Sequence, residues 1–175
     1  MSVNLSAVQL QRGDLLATVF GALEMAGLPA GRLDLELTES LLMENDGVAR
    51  ERLDALRAAG VHLSLDDFGT GFSSLSYLRT FPVDKLKIDQ SFVRGLPAER
   101  PAAAIVAAVV SLAGNLGIRV NAEGCETAEQ LEQLRALGCH EVQGWFHGRP
   151  EPSDAIARSL LEQRAFETSG AVKAA

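Results

Sequence analysis

Cysteine, histidine and basic clusters are the scarce features of this chain. Only 2 cysteines and 3 histidines occur in 175 residues. Cys125 and Cys139 have no paired spacing, so they read as two reduced thiols and no disulfide scaffold is needed. Lys and Arg number 16 against 23 Asp and Glu, a net charge of −7, and no basic run occurs. That balance argues against a basic surface for long nucleic acid. A small anionic ligand stays open, provided metal ions or local basic residues meet its phosphates. The longest apolar stretch, Ala102–Leu112, is broken by Ser111 and is too short to cross a bilayer. The opening Met1–Ser6 lacks the basic and apolar regions of a signal peptide. The expectation is a cytoplasmic chain.

What is present is the composition of a globular domain, 47% hydrophobic and 22% charged, long enough to bury its own core. Strand and helix patterns alternate. Val3–Ser6 reads as a strand, followed by a helix from Val8 to Ala26 with Leu16, Val19, Phe20 and Leu23 on one face. Leu33–Leu37 is the second strand and Asp46–Ala59 the next helix. Val61–Asp66 and Val83–Asp89 are strands, separated by a Gly/Ser-rich segment at Phe68–Ser74 and a helical turn to Leu78. Pro101 opens a helix that Gly117 ends. Ile118–Glu123 is the fifth strand, and Thr127 with Gln130 forms a capping box for a helix stopped by Gly138. Cys139–Gln143 is the sixth strand and Ser153–Phe166 a closing helix. The pattern predicts one domain over 1–167, with 168–175 a disordered tail.

Six strands alternating with helices imply an α/β protein with a parallel sheet, either a (β/α)8 barrel or an open doubly wound sheet. Alternation within the strands separates the two. Asp34 and Glu36 share one face of the second strand; His62, Ser64 and Asp66 share one face of the third. Lys85, Lys87 and Asp89 do so on the fourth, and Arg119, Asn121 and Glu123 on the fifth. A sheet covered by helices on both faces favours continuous apolar strands instead. One polar face per strand fits a barrel, polar side in, with its chemistry at the carboxyl ends of the strands. Asn4, Glu36, Asp66 with Asp67, Lys87, Glu123 and Gln143 then converge on one solvent-facing mouth.

An oxygen-rich set without clustered His or Cys favours Mg2+ or Mn2+ over a structural zinc. Adjacent carboxylates at Asp66 and Asp67 are costly without a cation and suit two metals roughly 3.5–4 Å apart, the spacing of two-metal phosphodiester hydrolysis. Lys87 can orient a water or offset phosphate charge. Asp67-Phe-Gly matches a kinase metal motif, but no Gly-rich phosphate loop, strand lysine or His-Arg-Asp element accompanies it.

Ser2-Val-Asn-Leu-Ser6, Leu35-Glu-Leu-Thr-Glu39, Leu65-Asp-Asp-Phe-Gly-Thr-Gly-Phe-Ser-Ser-Leu75, Lys87-Ile-Asp-Gln-Ser-Phe-Val93, Ala122-Glu-Gly-Cys-Glu126 and Gln143-Gly-Trp resemble, in order, the signature blocks of the EAL family. That family opens cyclic di-GMP to linear pGpG in bacterial second-messenger signalling. The resemblance implies an incomplete (β/α)8 barrel, about six of eight strands. It implies Asn4, Glu36, Asp66, Asp67 and Glu123 as metal ligands, with Mg2+ or Mn2+ as cofactor. Lys87 resembles the lysine that positions the hydrolytic water, Glu123 is also a candidate general base, and Gln143 resembles the glutamine near that water. Glu39, Asp89 and Glu126 are supporting acids, Glu39 holding the Asp-Phe-Gly-Thr-Gly loop. It further implies a homodimer through helices beside that loop, and sensory or diguanylate cyclase-type domains elsewhere in the protein. The Glu-Ala-Leu motif itself is absent, so the expectation is a chain that starts after it, lacks one metal glutamate and a phosphate-binding arginine, and hydrolyses poorly alone. A degenerate family member acting as a cyclic-di-GMP receptor or interaction module is the alternative.

Overall fold

Short β-prone stretches bounded by glycine and helix caps build the sheet, and a computed structural model describes residues 1–11, 14–43, 47–69, 78, 81–159 and 161. The strands are β1 (Ser2–Asn4), β2 (Asp34–Thr38), β3 (His62–Phe68), β4 (Lys85–Ile88), β5 (Arg119–Ala122) and β6 (Glu141–Val142). They form one sheet in sequential order, every neighbouring pair parallel. The helices are α1 (Ala7–Gln11), α2 (Leu15–Ala26), α3 (Glu39–Met43), α4 (Gly47–Ala58), α5 (Gln90–Arg94), α6 (Arg100–Leu116) and α7 (Ala128–Ala136). A further helical stretch covers 153–159. No helix among the described residues is long and apolar enough to cross a membrane.

The sheet curls, and ion pairs prove it. Lys85 Nζ on β4 reaches Asp34 Oδ2 on β2 at 3.0 Å and Glu141 Oε2 on β6 at 2.8 Å. In a flat sheet β2 and β6, four places apart, would lie about 19 Å from each other. Two acidic side chains and two hydrogen bonds cannot span that. The inner face is therefore concave, as in a partial (β/α) barrel, and it carries the polar half of every alternation. The outer face buries Leu37, Leu63, Leu65, Leu86, Ile88 and Val120 under the helices. Each such side chain contributes about 1.5–3 kcal/mol. From the helices, Leu53 and Leu56 of α4 and Val106 and Val109 of α6 complete the core.

Several elements differ from the pattern reading. The helix expected over Val8–Ala26 is two helices, because the Asp14 side chain caps α2 by accepting from Ala17 N–H at 3.0 Å. On α2, Phe20 is exposed while Leu15, Val19 and Leu23 are buried. On α6 the buried stripe is Ala102, Val106, Val109 and Ala113, leaving Ile105 and Leu116 exposed. β1 starts and ends earlier than expected, at Ser2–Asn4, and β6 shrinks to Glu141–Val142. The short helices α3 and α5 follow β2 and β4, where none was expected. The capping box at Thr127 and Gln130 is present. The Gly/Ser segment from 70 to 77 and the tail from 168 lie outside the described residues.

Candidate active site

Strand alternation aims Glu36, Asp66 and Lys87 inward, and the residue just past β5, Glu123, follows the same rule. Their side chains meet. Lys87 Nζ lies 2.8 Å from Glu36 Oε2, 3.0 Å from Asp66 Oδ1 and 2.7 Å from Glu123 Oε1. One ammonium thus uses its three donors on carboxylates from three different strand ends. Lys87 is only 4% exposed, so the expected solvent-facing position is corrected to a buried one. The curl of the sheet folds the neighbouring strands over it.

The electrostatics follow from that burial. Burial alone would lower the Lys87 pKa, but hydrogen bonds to Glu123, Glu36 and Asp66 outweigh it and hold the amine above its ordinary value. Burial raises the Glu123 carboxyl above the usual range; Lys87 pulls it down, Asp66 and Glu36 push it up, and the net direction is upward. The Asp67 carboxyl is raised by burial and by the negative charges of Asp66, Asp89 and Glu39, against a lowering pull from Lys87. Asp67 feels this set because β3 bulges: its register with β4 shifts between Leu65 and Phe68, and Asp67 adopts φ +54°. A bulge re-aims side chains and stores strain, about 1 kcal/mol or more for a non-glycine residue.

The supporting acids have separate partners. Glu39 opens α3, and its Oε1 accepts Gly69 N–H at 3.2 Å, tying the end of β2 to the Phe68-Gly69 turn. Asp89 caps α5 by accepting Ser91 N–H at 2.9 Å. Its carboxyl is lowered overall, because the bonds from Ser91 and Gln90 outweigh the upward push of burial. Asn4 pairs in register with Glu36 at the end of β1. Gln143 follows β6, and its carbonyl accepts Cys125 N–H at 3.1 Å. Asn4, Glu126 and Gln143 stand at the same end of the sheet without joining the lysine-centred cluster.

A cavity of about 490 Å3 opens beside Glu123 and Gln143, with Glu126, Arg94, Trp145 and Arg149 on its walls. The Arg149 guanidinium stacks 4.4 Å from the Trp145 ring centre. Pattern reasoning did not find Arg94, Arg149 or the Trp145 face, which lie past the strand ends where alternation gives no signal. It also missed a second lysine layer beneath the first. There Lys85 binds Asp34 and Glu141, Ser64 Oγ donates to Asp34 Oδ1 at 2.6 Å, and Arg119 pairs with Glu141 at 3.0 Å. Alternation placed Lys85 and Asp34 inward; the curl that brings Glu141 to them was not readable locally.

The oxygen donors suit a hard divalent cation, and the cluster already gathers around one cation, the Lys87 ammonium. Among the described residues no three acidic, His or Cys side chains are arranged as a ready metal cage; the ammonium stands where three of the carboxylates converge.

The EAL domain profile matches residues 1–150. The cyclic di-GMP phosphodiesterase NbdA of Pseudomonas aeruginosa is 45% identical over 164 residues, 94% of this chain and 21% of that protein. The chain spans about a fifth of the length of the curated relatives it matches. Among solved structures, the c-di-GMP complex of the PaMucR phosphodiesterase superposes with TM-score 0.82 at 43% identity, covering 89% of this chain and 63% of that one. The manganese/cy-diGMP complex of Klebsiella pneumoniae BlrP1 at pH 9.0 gives TM-score 0.79 at 37% identity, covering 85% and 38%.

Proposed function

The chain belongs to the EAL domain family, and on that premise we propose that it hydrolyses cyclic di-GMP to linear pGpG with Mg2+ or Mn2+, as one module of a longer signalling protein. The observation that carries the reading is Lys87 held at 2.7–3.0 Å by Glu36, Asp66 and Glu123 at the carboxyl ends of the strands. The cavity beside them supports it: two guanidinium groups and an indole suit a ligand that is both anionic and flat-ringed. The relatives named for cyclic di-GMP point to the same ligand.

Asn4, Glu36, Asp66, Asp67 and Glu123 would hold the metal. Bound divalent ions supply an acidified water and neutralise charge on the phosphate. Lys87, charged through neutral pH, would orient an attacking water and meet the charge that develops on the phosphate oxygens. Glu123 would take the attacking water's proton as the new P–O bond forms, while the ester P–O bond on the opposite side of the phosphorus breaks and its oxygen leaves as a hydroxyl after taking a proton from solvent. Gln143, lining the same cavity as Glu123, steadies the water from the β6 side. Glu39 and Asp89 hold turns beside these groups, and Glu126 lines the cavity.

The experiment is turnover of cyclic di-GMP to pGpG with Mn2+ by the longer protein that carries this chain as a module, in wild type, Lys87→Ala and Glu123→Gln. Each substitution is expected to lower kcat by roughly 10²–10⁴-fold, the range of a positioned acid or base. Binding by wild type without any turnover would make the chain a receptor instead. Full turnover in either variant would remove that residue from the mechanism.

A further inference from the structure

The backbone at Glu126–Thr127 is gripped from behind by a residue with no place in the chemistry. Gln130, 6% exposed on α7, has its side-chain amide engaged at both its oxygen and its nitrogen. Its Oε1 accepts Glu126 N–H at 2.7 Å and Thr127 N–H at 3.1 Å, and its Nε2 donates to Val93 O on α5 at 3.2 Å. A capping box needs only the bonds to Thr127. The bonds to Glu126 and Val93 go further, because they tie the loop after β5 to a different helix.

These form two of the walls of the 490 Å3 cavity. Glu123 and Glu126 stand on the loop side, Gln90 and Arg94 on the α5 side, and Arg94 Nη2 donates to Gln90 Oε1 at 2.8 Å. The loop also has no slack elsewhere. A Cβ at Gly124 would lie 2.5 Å from Gln90 Cβ, and one at Gly144 would lie 2.1 Å from Cys125 O. By contrast, Glu123 is anchored independently, its N–H donating to Ile88 O of β4 at 3.0 Å.

We infer that Gln130 is a positioning residue that sets the separation between Glu126 and the Gln90–Arg94 wall, and so the fit of the ligand in the cavity, while the lysine-centred cluster is set by the strands. This rests on the cyclic di-GMP reading. A residue with only a structural role would change melting temperature and nothing else below it; Gln130 changes ligand affinity and leaves metal affinity alone.

The test uses the whole chain with Gln130→Met, which keeps the volume and removes the amide. Cyclic di-GMP binding is followed by the fluorescence of Trp145, the only tryptophan, which lines the cavity. Mn2+ affinity is measured by calorimetry and the Glu126 and Thr127 amides by hydrogen exchange. Faster exchange at both amides is expected, with cyclic di-GMP bound about three- to tenfold more weakly, the range of one neutral hydrogen bond, and Mn2+ affinity unchanged. Gln130→Glu keeps an oxygen for the Glu126 and Thr127 N–H groups but sets a carboxylate oxygen against Val93 O, breaking the tie to α5; it should also weaken cyclic di-GMP binding, and it carries the test if the methionine variant does not fold. Wild-type affinity for cyclic di-GMP in a folded variant overturns the inference while the functional reading stands. Absence of cyclic di-GMP binding by the wild type overturns that reading and this inference with it.

Discussion

At the scale of single residues, Lys87 is both the best-read and the most misjudged position. Alternation placed it inward with Glu36, Asp66 and Glu123, and the structure brings these four together. Its depth was not readable, because burial depends on how strands three apart in sequence order curl over one another. That depth changes the expected cost of mutation. Breaking a buried ion pair by removing one partner costs about 3–5 kcal/mol, and here three carboxylates lose their counter-charge. Lys87→Met should therefore melt well below wild type in EDTA, and Mn2+ should raise its melting temperature more than it raises the wild type's. Equal melting in EDTA would mean that the lysine does not compensate the acids. Asp67 was likewise read only in part: its adjacency to Asp66 was plain, but the bulge that turns it toward the same end appears in no pattern of side-chain types.

At the scale of elements, β4 is the strand that stitches the inner face. Its two inward lysines engage acids on β2, β3, β6 and the end of β5, so a strand of four residues ties together most of the sheet. Burial would lower the Lys85 amine, but its bonds to Glu141 and Asp34 raise it above the usual 10.5. A raised lysine contributes stability fully present below its unfolded value and lost as pH rises through the folded one. Lys85→Met should thus cost about 2 kcal/mol at neutral pH, less than a fully buried pair. The gap from wild type should close only above about pH 10.5, as measured by urea unfolding across pH. A gap independent of pH would remove the ion pair as its cause. Long helices were legible because their apolar spacing and caps agree. The five-residue α3 and α5 are too short to show a period, and the break between α1 and α2 depends on one cap. Asp14→Ala should lower stability by about 1 kcal/mol, read from the urea midpoint; an unchanged midpoint would place the break elsewhere.

At the scale of the whole molecule, barrel-like curvature was inferred from one-sided polarity and is borne out by pairs that cross the sheet. What no strand pattern carried was the ground beyond the strand ends, where Arg94, Trp145, Arg149 and the Gln130 clamp shape the cavity. The carboxylates that hold Lys87 are proposed to form a site for a divalent cation that serves phosphodiester hydrolysis. Calorimetric titration of Mn2+ into wild type and Asp66→Asn tests it most directly. Asp66→Asn should bind Mn2+ at least about tenfold more weakly, because a carboxylate shared by the cluster becomes a neutral amide. Equal affinity in the two proteins, or no Mn2+ binding by the wild type, would contradict the claim.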